Sequence, residues 1–136
     1  MTIFQAIGVA GTGATVHRKW LDAISDNIAN INTAKPTSEA AYQEKRVQVE
    51  AVDYGAGTSG VRVAGVTAAS SPEGRMVYEP DNALADAEGY VRYPDVDLGS
   101  QMSQMIMAQR GYQANLAVVD RARETYLAAL RIGSGG

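Results

Sequence analysis

Few residues in this chain have reactive chemistry to offer. His17 is the only histidine and there is no cysteine, which excludes disulfides, zinc–thiolate sites and thiol catalysis together. A lone imidazole without a second ligand or an adjacent carboxylate makes neither a metal centre nor half of a triad. His17 falls where an amphipathic pattern calls for an apolar residue, so it reads as a hydrogen-bonded polar seam residue that sets helix register. Gln109 and Arg123 receive the same reading.

Gly8-Val9-Ala10-Gly11-Thr12-Gly13 has the look of a glycine-rich phosphate loop. Such loops follow a strand and open a helix, yet seven residues precede this one and no Lys-Ser or Lys-Thr follows. The glycines read instead as small residues for close helix packing. Asp81, Asp86, Glu88, Asp95 and Asp97 form an acidic run without the ligand spacing of a calcium loop, so they read as turn-forming residues in a solvated loop. Met102, Met105 and Met107 are pliable interface filler. The four C-terminal arginines lie on different helix faces, and the net charge is −3, which is no footprint for nucleic acid. No paired acid and base remains: the reading is a non-enzyme with no cofactor and no metal.

The elements that carry these residues are two long amphipathic stretches. In the first, Ile3, Ile7, Ala10, Ala14, His17, Leu21, Ile24, Ile28 and Ile31 step by four and three, which is a heptad seam. Val9, Val16, Trp20 and Ala23 widen that face beyond what one partner helix covers. Thr2 and Gln5 are placed as a capping box, and the Asn-, Lys- and Pro-containing run from Asn30 to Ser38 ends the helix near Asn32. The second stretch starts after Asp95 and Asp97 and runs to about Ile132. Its apolar seam is Leu98, Met102, Met105, Gln109, Tyr112, Leu116, Val119, Arg123, Tyr126 and Leu130, while Gly111, Ala114, Val118, Ala122 and Ala129 are small enough to let another helix approach.

Between the helices the period changes to two. Val47, Val49 and Ala51 alternate with polar residues, Val61 to Val63 resumes the alternation after a glycine-rich turn, and short strands are expected at Arg75–Glu79 and Tyr90–Tyr93. The expected fold class is α+β, mainly α: long N- and C-terminal helices paired as a coiled coil around a small hairpin-rich middle. The divisions are an N-terminal helix over 1–33, a β and loop region over 34–96, a C-terminal helix over 97–133 and a flexible tail over 134–136. The charge is −6 between residues 36 and 97 and positive on both sides. No signal-peptide pattern and no stretch of membrane-spanning length is present. Apolar faces too broad for one contact describe a subunit whose core is completed by neighbours.

Ala23-Ile24-Ser25-Asp26-Asn27-Ile28-Ala29-Asn30-Ile31-Asn32-Thr33 resembles the N-terminal signature of the bacterial flagellar rod and hook axial proteins. Three further runs extend the likeness in order along the chain: Val77-Tyr78-Glu79-Pro80, Leu84 to Val91 with Pro94-Asp95-Val96, and Met105 to Asn115. Together they resemble the proximal-rod members of that family. The resemblance implies a structural subunit exported by the flagellar type III apparatus without a cleaved signal, assembling with copies of itself and other rod subunits. The MS-ring or adjacent basal-body proteins are further implied partners, with no nucleic acid and no membrane insertion. The location implied is the basal body, where the rod spans the periplasm and encloses the export channel.

The subunit-interface residues expected on the first helix are Ile3, Ile7, Leu21, Ile24, Asn27, Ile28 and Asn30. On the second they are Met105, Arg110, Tyr112, Asn115, Leu116, Val119, Tyr126 and Leu130. The competing reading is an autonomous helical bundle serving as a protein-binding or export-chaperone module.

Overall fold

The computed structural model describes residues 2–55 and 57–134. Its elements are α1 (Ile3–Asn30), β1 (Lys45–Asp53), β2 (Ser59–Ala68), β3 (Arg75–Tyr78), β4 (Tyr90–Tyr93) and α2 (Leu98–Ser134). This is the expected mainly helical α+β fold, with two separate antiparallel hairpins between the helices.

Both helices begin where their side chains can satisfy orphan N–H groups. At α1 the Thr2 hydroxyl accepts from the Gln5 N–H at 3.2 Å, and the Gln5 side chain accepts from the Thr2 N–H at 2.7 Å, a reciprocal capping box. At α2 the Asp97 carboxylate accepts from the Ser100 N–H at 2.6 Å. The C-terminal end differs from expectation. Helix α2 runs through Gly133 to Ser134, so one glycine does not stop it, and the rest of the expected tail lies outside the described residues.

The helices run antiparallel, with Asn27 bonded to Gln101, His17 over Gly111 and Phe4 against Tyr126. What they bury between them is small. The buried apolar residues of α1 are Ala10, Ala14, Val16, Ala23 and Ile24, and α2 adds Ala108. The chain exposes 8690 Å², against about 6,800 Å² for a compact monomer of this mass. That excess is the mark of an elongated chain with faces left wet.

The β1–β2 hairpin lies along α1 and is tied to it at both ends. At its base the Asn27 side chain bonds the N–H and C=O of Lys45 at 2.8 and 3.0 Å. At its tip the Val61 N–H donates to the Thr12 hydroxyl at 3.2 Å, and that hydroxyl donates in turn to the Val9 carbonyl at 2.7 Å. The pairing is interrupted by a bulge in β2, where Ala64 has no partner between Gln48 and Val49 of β1. Along the face of β1 that the alternation marks as apolar, Val47 is half-buried, whereas Val49 and Ala51 are exposed.

The β3–β4 hairpin packs near the end of α1 through an isolated bridge between Lys35 and Arg92. Val91 is fully buried there. Gly74, at φ 56°, sits where a Cβ would strike the Tyr93 carbonyl and lie 2.7 Å from the Ala41 Cβ, so this turn accepts only glycine without rearrangement.

Candidate assembly surface

The surface begins with the polar residues that fix the helix pair. Asn27 and Gln101 are each 1% exposed, and a buried amide costs stability unless its groups are paired. Here they are. The Asn27 Nδ2 donates to Lys45 O and to Gln101 Oε1, both at 3.0 Å, and Oδ1 accepts from the Lys45 N–H and the Tyr42 hydroxyl at 2.8 and 2.9 Å. Gln101 passes the network on to Glu44 at 3.1 Å. One α1 residue thereby sets the position of α2, the 42–45 segment and the start of β1. Burial pushes the Tyr42 phenol above its ordinary value, and the hydrogen bond to Asp26 raises that of Lys45.

Nearly three turns along, the seam is built from glycine notches. The His17 ring lies in the space a Cβ on Gly111 would take, and the Asn115 Oδ1 lies 2.7 Å from an added Cβ on Gly13. The Gly13 carbonyl, 2.8 Å from His17 Nδ1, can only accept, which places the imidazole proton on Nδ1. Asn115 donates to the Gly111 carbonyl at 2.8 Å. His17 therefore has the register-setting role its position suggested. Gln109 and Arg123 do not: both are exposed.

The reason is a rotation of α2. The residues it turns toward α1 include Gln101, Gln104, Ala108, Gly111, Asn115, Val119 and Ala122, all buried or half-buried. That stripe is displaced by roughly 80° from the apolar seam read from the sequence, at 3.6 residues per turn. Met105, Tyr112 and Val119 lie on the shared margin, half-buried. The other apolar residues of that seam are left outside, with Leu98 46%, Met102 55%, Leu116 40%, Tyr126 38% and Leu130 51% exposed, as is Ile106 at 51%. The intrachain contact takes small and polar residues, and the larger apolar ones face solvent.

Residues 87–132 match the family model described as Flagellar basal body rod FlgEFG protein C-terminal, which covers the whole of this face. The chain is 36% identical over 135 residues to the flagellar basal-body rod protein FlgC of Salmonella typhimurium, spanning 98% of this chain and 99% of that protein. The chain belongs to the FlgC family of flagellar basal-body rod proteins. FlgC of Borreliella burgdorferi is 33% identical over 99% of this chain and the whole of that protein. FlgC of Bacillus subtilis is 29% identical over 98% and 99%. Membership makes the chain a structural subunit of the flagellar basal-body rod, and the independent chaperone-like bundle is not favoured.

Within that family frame, the residues expected at subunit contacts separate into three groups. Ile24 and Asn27 are 1% exposed and used up inside the chain, so neither can meet another subunit in this conformation. Ile3, Ile7, Leu21, Ile28, Asn30, Met105, Tyr112, Asn115 and Val119 are half-buried along the seam. Of these, Asn30 serves its own helix end, donating to the Asp26 carbonyl at 2.9 Å and accepting from Thr33 at 3.3 Å. Arg110, Leu116, Tyr126 and Leu130 are exposed and free to take part in an outer contact. Sequence reasoning passed over Gln101 and Thr12, whose roles depend on partners 74 and 49 residues away.

The acidic run is put to local use. The Asp86 carboxylate accepts from the Tyr90 N–H at 2.8 Å, the Glu88 N–H at 3.1 Å and the Thr37 hydroxyl at 2.9 Å. These bonds, the Tyr90 N–H foremost, hold its carboxyl below the usual aspartate value. The Tyr93 phenol is raised by its hydrogen bonds to Glu79 at 3.1 and 3.2 Å. Among the described residues, no group of three His, Cys, Asp or Glu side chains is placed to hold a metal ion, and no helix is long and apolar enough to cross a membrane.

Proposed function

We propose that this chain is a non-enzymatic load-bearing piece of the proximal rod, packed through its terminal helices against copies of itself and other rod subunits. One observation carries this reading. The α1–α2 contact uses small and polar residues, while the outer flank of α2 keeps Met102, Ile106, Leu116 and Leu130 at 40–55% exposure. A face of that composition on a lone monomer has no folding role, and its length along α2 fits a neighbouring helix better than a small ligand.

Contacts between different patches of like subunits propagate instead of closing. Torque is then spread over many side chains, each worth about 1.5–3 kcal/mol when fully buried. The chain reaches this place by flagellar type III export without a cleaved signal, and its lower neighbours include the MS-ring or adjacent basal-body proteins. Family membership and the pattern of exposed residues support this reading.

The test is electron microscopy of basal bodies from cells lacking the chain. Rods that stop short at their base support the reading, with recovery on re-expression; intact rods of full length contradict it.

A further inference from the structure

The β3–β4 hairpin touches no other helix or strand among the described residues, and its two faces differ. Side chains alternate across a strand, so the pairs Val77↔Val91 and Arg75↔Tyr93 fall on one face and Tyr78↔Tyr90 and Met76↔Arg92 on the other. Val91 is fully buried on the first. On the second, Met76 is 48%, Tyr78 63% and Tyr90 41% exposed. These residues are held in place although they are wet. The two tyrosine rings meet edge to face at 5.4 Å between centroids, and the Tyr78 ring lies across the turn at Gly89, where an added Cβ would come 2.8 Å from it. An exposed tyrosine pair already fixed in this way loses little freedom on binding, which suits it to anchor an interface.

Charge marks the edge of this face. Residues 79–88, which join the two strands beside the tyrosines, hold four acids and no base. Glu79 and Asp86 are taken up by Tyr93, Asn82, Thr37 and Tyr90. Asp81 and Glu88 are exposed, and among the described residues their carboxylates have no partner. At the opposite end of the face, Arg92 is turned to the Glu39 carbonyl at 3.1 Å. The occupant that fits is apolar where it meets the rings and basic where it meets the loop.

One surface of this chain has that composition. On α2, Arg110 and Arg121 are eleven residues apart, which returns them to within about 20° of one another and spaces them by roughly 16 Å along the helix. Ala114 and Ala117 lie between them on the same side, and all four residues are exposed. This side is roughly opposite the stripe of Gln101, Ala108 and Asn115 that packs on α1, so the helix pair leaves it uncovered. Neither guanidinium has a partner among the described residues. The alanines leave room for a ring between the arginines, and a guanidinium matches both a carboxylate and the face of an aromatic ring.

We propose that the outer face of the β3–β4 hairpin of one copy docks on this side of α2 of a second copy. Tyr78 and Tyr90 then lie over Ala114 and Ala117, with Asp81 and Glu88 toward Arg110 and Arg121. This rests on the rod-subunit reading and adds to it, because the middle of the chain joins the terminal helices in making contacts between copies. The two patches differ, so the contact is heterologous, of the kind that builds rings or filaments. A second hairpin offers no such base: its Arg75 lies over the Tyr93 ring and its Arg92 holds Glu39.

Charge reversal tests the contact, because these four charged groups hold nothing within the chain. Asp81→Lys/Glu88→Lys, expressed in place of the native chain, is expected to cut the fraction of swimming cells by about tenfold or more, since like charges are then set face to face. Arg110→Glu/Arg121→Glu alone should be similarly defective, and the two pairs combined in one chain should swim again. Swimming unaffected by the first pair, or not restored by the combination, overturns the contact; complete rods in cells lacking the chain would overturn the rod reading instead. A second arm uses the absence of cysteine from the chain. Met76→Cys/Ala117→Cys, oxidised in basal bodies of swimming cells, should give a ladder of cross-linked multimers that neither single variant gives. Swimming cells in which no ladder forms, or in which Met76→Cys is captured by a protein of different mass, overturn the proposal while the rod reading stands.

Discussion

His17 and Gly111 share one space: the imidazole of α1 fills the position where Gly111 of α2 would carry a Cβ. Four residues earlier on α1 and four later on α2, Asn115 fills the corresponding place over Gly13. Each helix thus contributes one polar side chain and one bare backbone position, and the two meet as complementary pairs. The arrangement brings the helix backbones close and admits a single register, because sliding either helix by a turn drives both side chains into residues that have a Cβ.

Gly111→Ala is therefore expected to destabilise the chain even though alanine is the better helix former. The propensity gain is about 1 kcal/mol, while forcing a methyl into a filled site costs about 1–3 kcal/mol. His17→Ala in the same chain should recover part of the loss, with a coupling above about 0.5 kcal/mol, as residues in contact show. Thermal unfolding followed by circular dichroism at fixed concentration decides it. A Gly111→Ala variant that melts higher than the native chain would show that the ring moves aside freely.

Asn27→Ala should cost more than any other single polar truncation in α1. It leaves the Lys45 N–H and C=O and the Gln101 side chain without their partner in a buried site, and each unsatisfied group costs about 1–3 kcal/mol. Asn30→Ala, whose bonds stay within its own helix end, should stay within about 0.5 kcal/mol. Denaturant midpoints of the two variants give the comparison, and equal losses would mean that the network around Asn27 does not hold the elements together.

Which parts of this fold were legible beforehand follows from the range of the interactions involved. The Thr2–Gln5 capping box, the Asp97 cap and the strands at 75 and 90 depend on neighbours a few residues away, and local chemistry located them. The face that α2 offers to α1 was misplaced because periodicity was read from hydrophobicity. Gln101, Ala108, Gly111 and Asn115 carry little apolar signal, yet they form the intrachain seam, while Leu98, Met102 and Leu116 supply the signal and stay outside. In a chain that folds for assembly, the most apolar stripe need not mark the internal contact. Asn27 was noticed for its family pattern, but its partners on Lys45 and Gln101 could not be inferred from spacing.

Thr12→Val removes a hydroxyl with almost no change in shape, and the hairpin tip should loosen in consequence. The Val61 N–H loses its acceptor, while the base of the hairpin keeps its bonds to Asn27. Amide hydrogen exchange should therefore accelerate at Val61 and its strand neighbours, roughly 5- to 10-fold for a hydrogen bond worth about 1 kcal/mol, with Lys45 unchanged. Uniform acceleration from tip to base would mean that the hairpin opens as one unit and that Thr12 is no separate anchor.

The Asp86 loop should be the first part of the middle region to loosen in acid. Its folded carboxyl titrates below the ordinary aspartate value because the Tyr90 N–H, the Thr37 hydroxyl and the Glu88 N–H all favour the charged form. A depressed folded value means that the unfolded chain takes up the proton first as pH falls. The stabilisation from this residue is thus complete above about pH 4 and is lost progressively below it, as pH drops toward and through the folded value. Asp86→Asn, which cannot ionise, should be less stable at neutral pH and should flatten the stability profile between about pH 4 and 2. Nuclear magnetic resonance of the Gly89 and Tyr90 amides across that range reports the site directly. Chemical shifts there that titrate at or above the ordinary aspartate value would show that these bonds do not favour the ionised carboxylate.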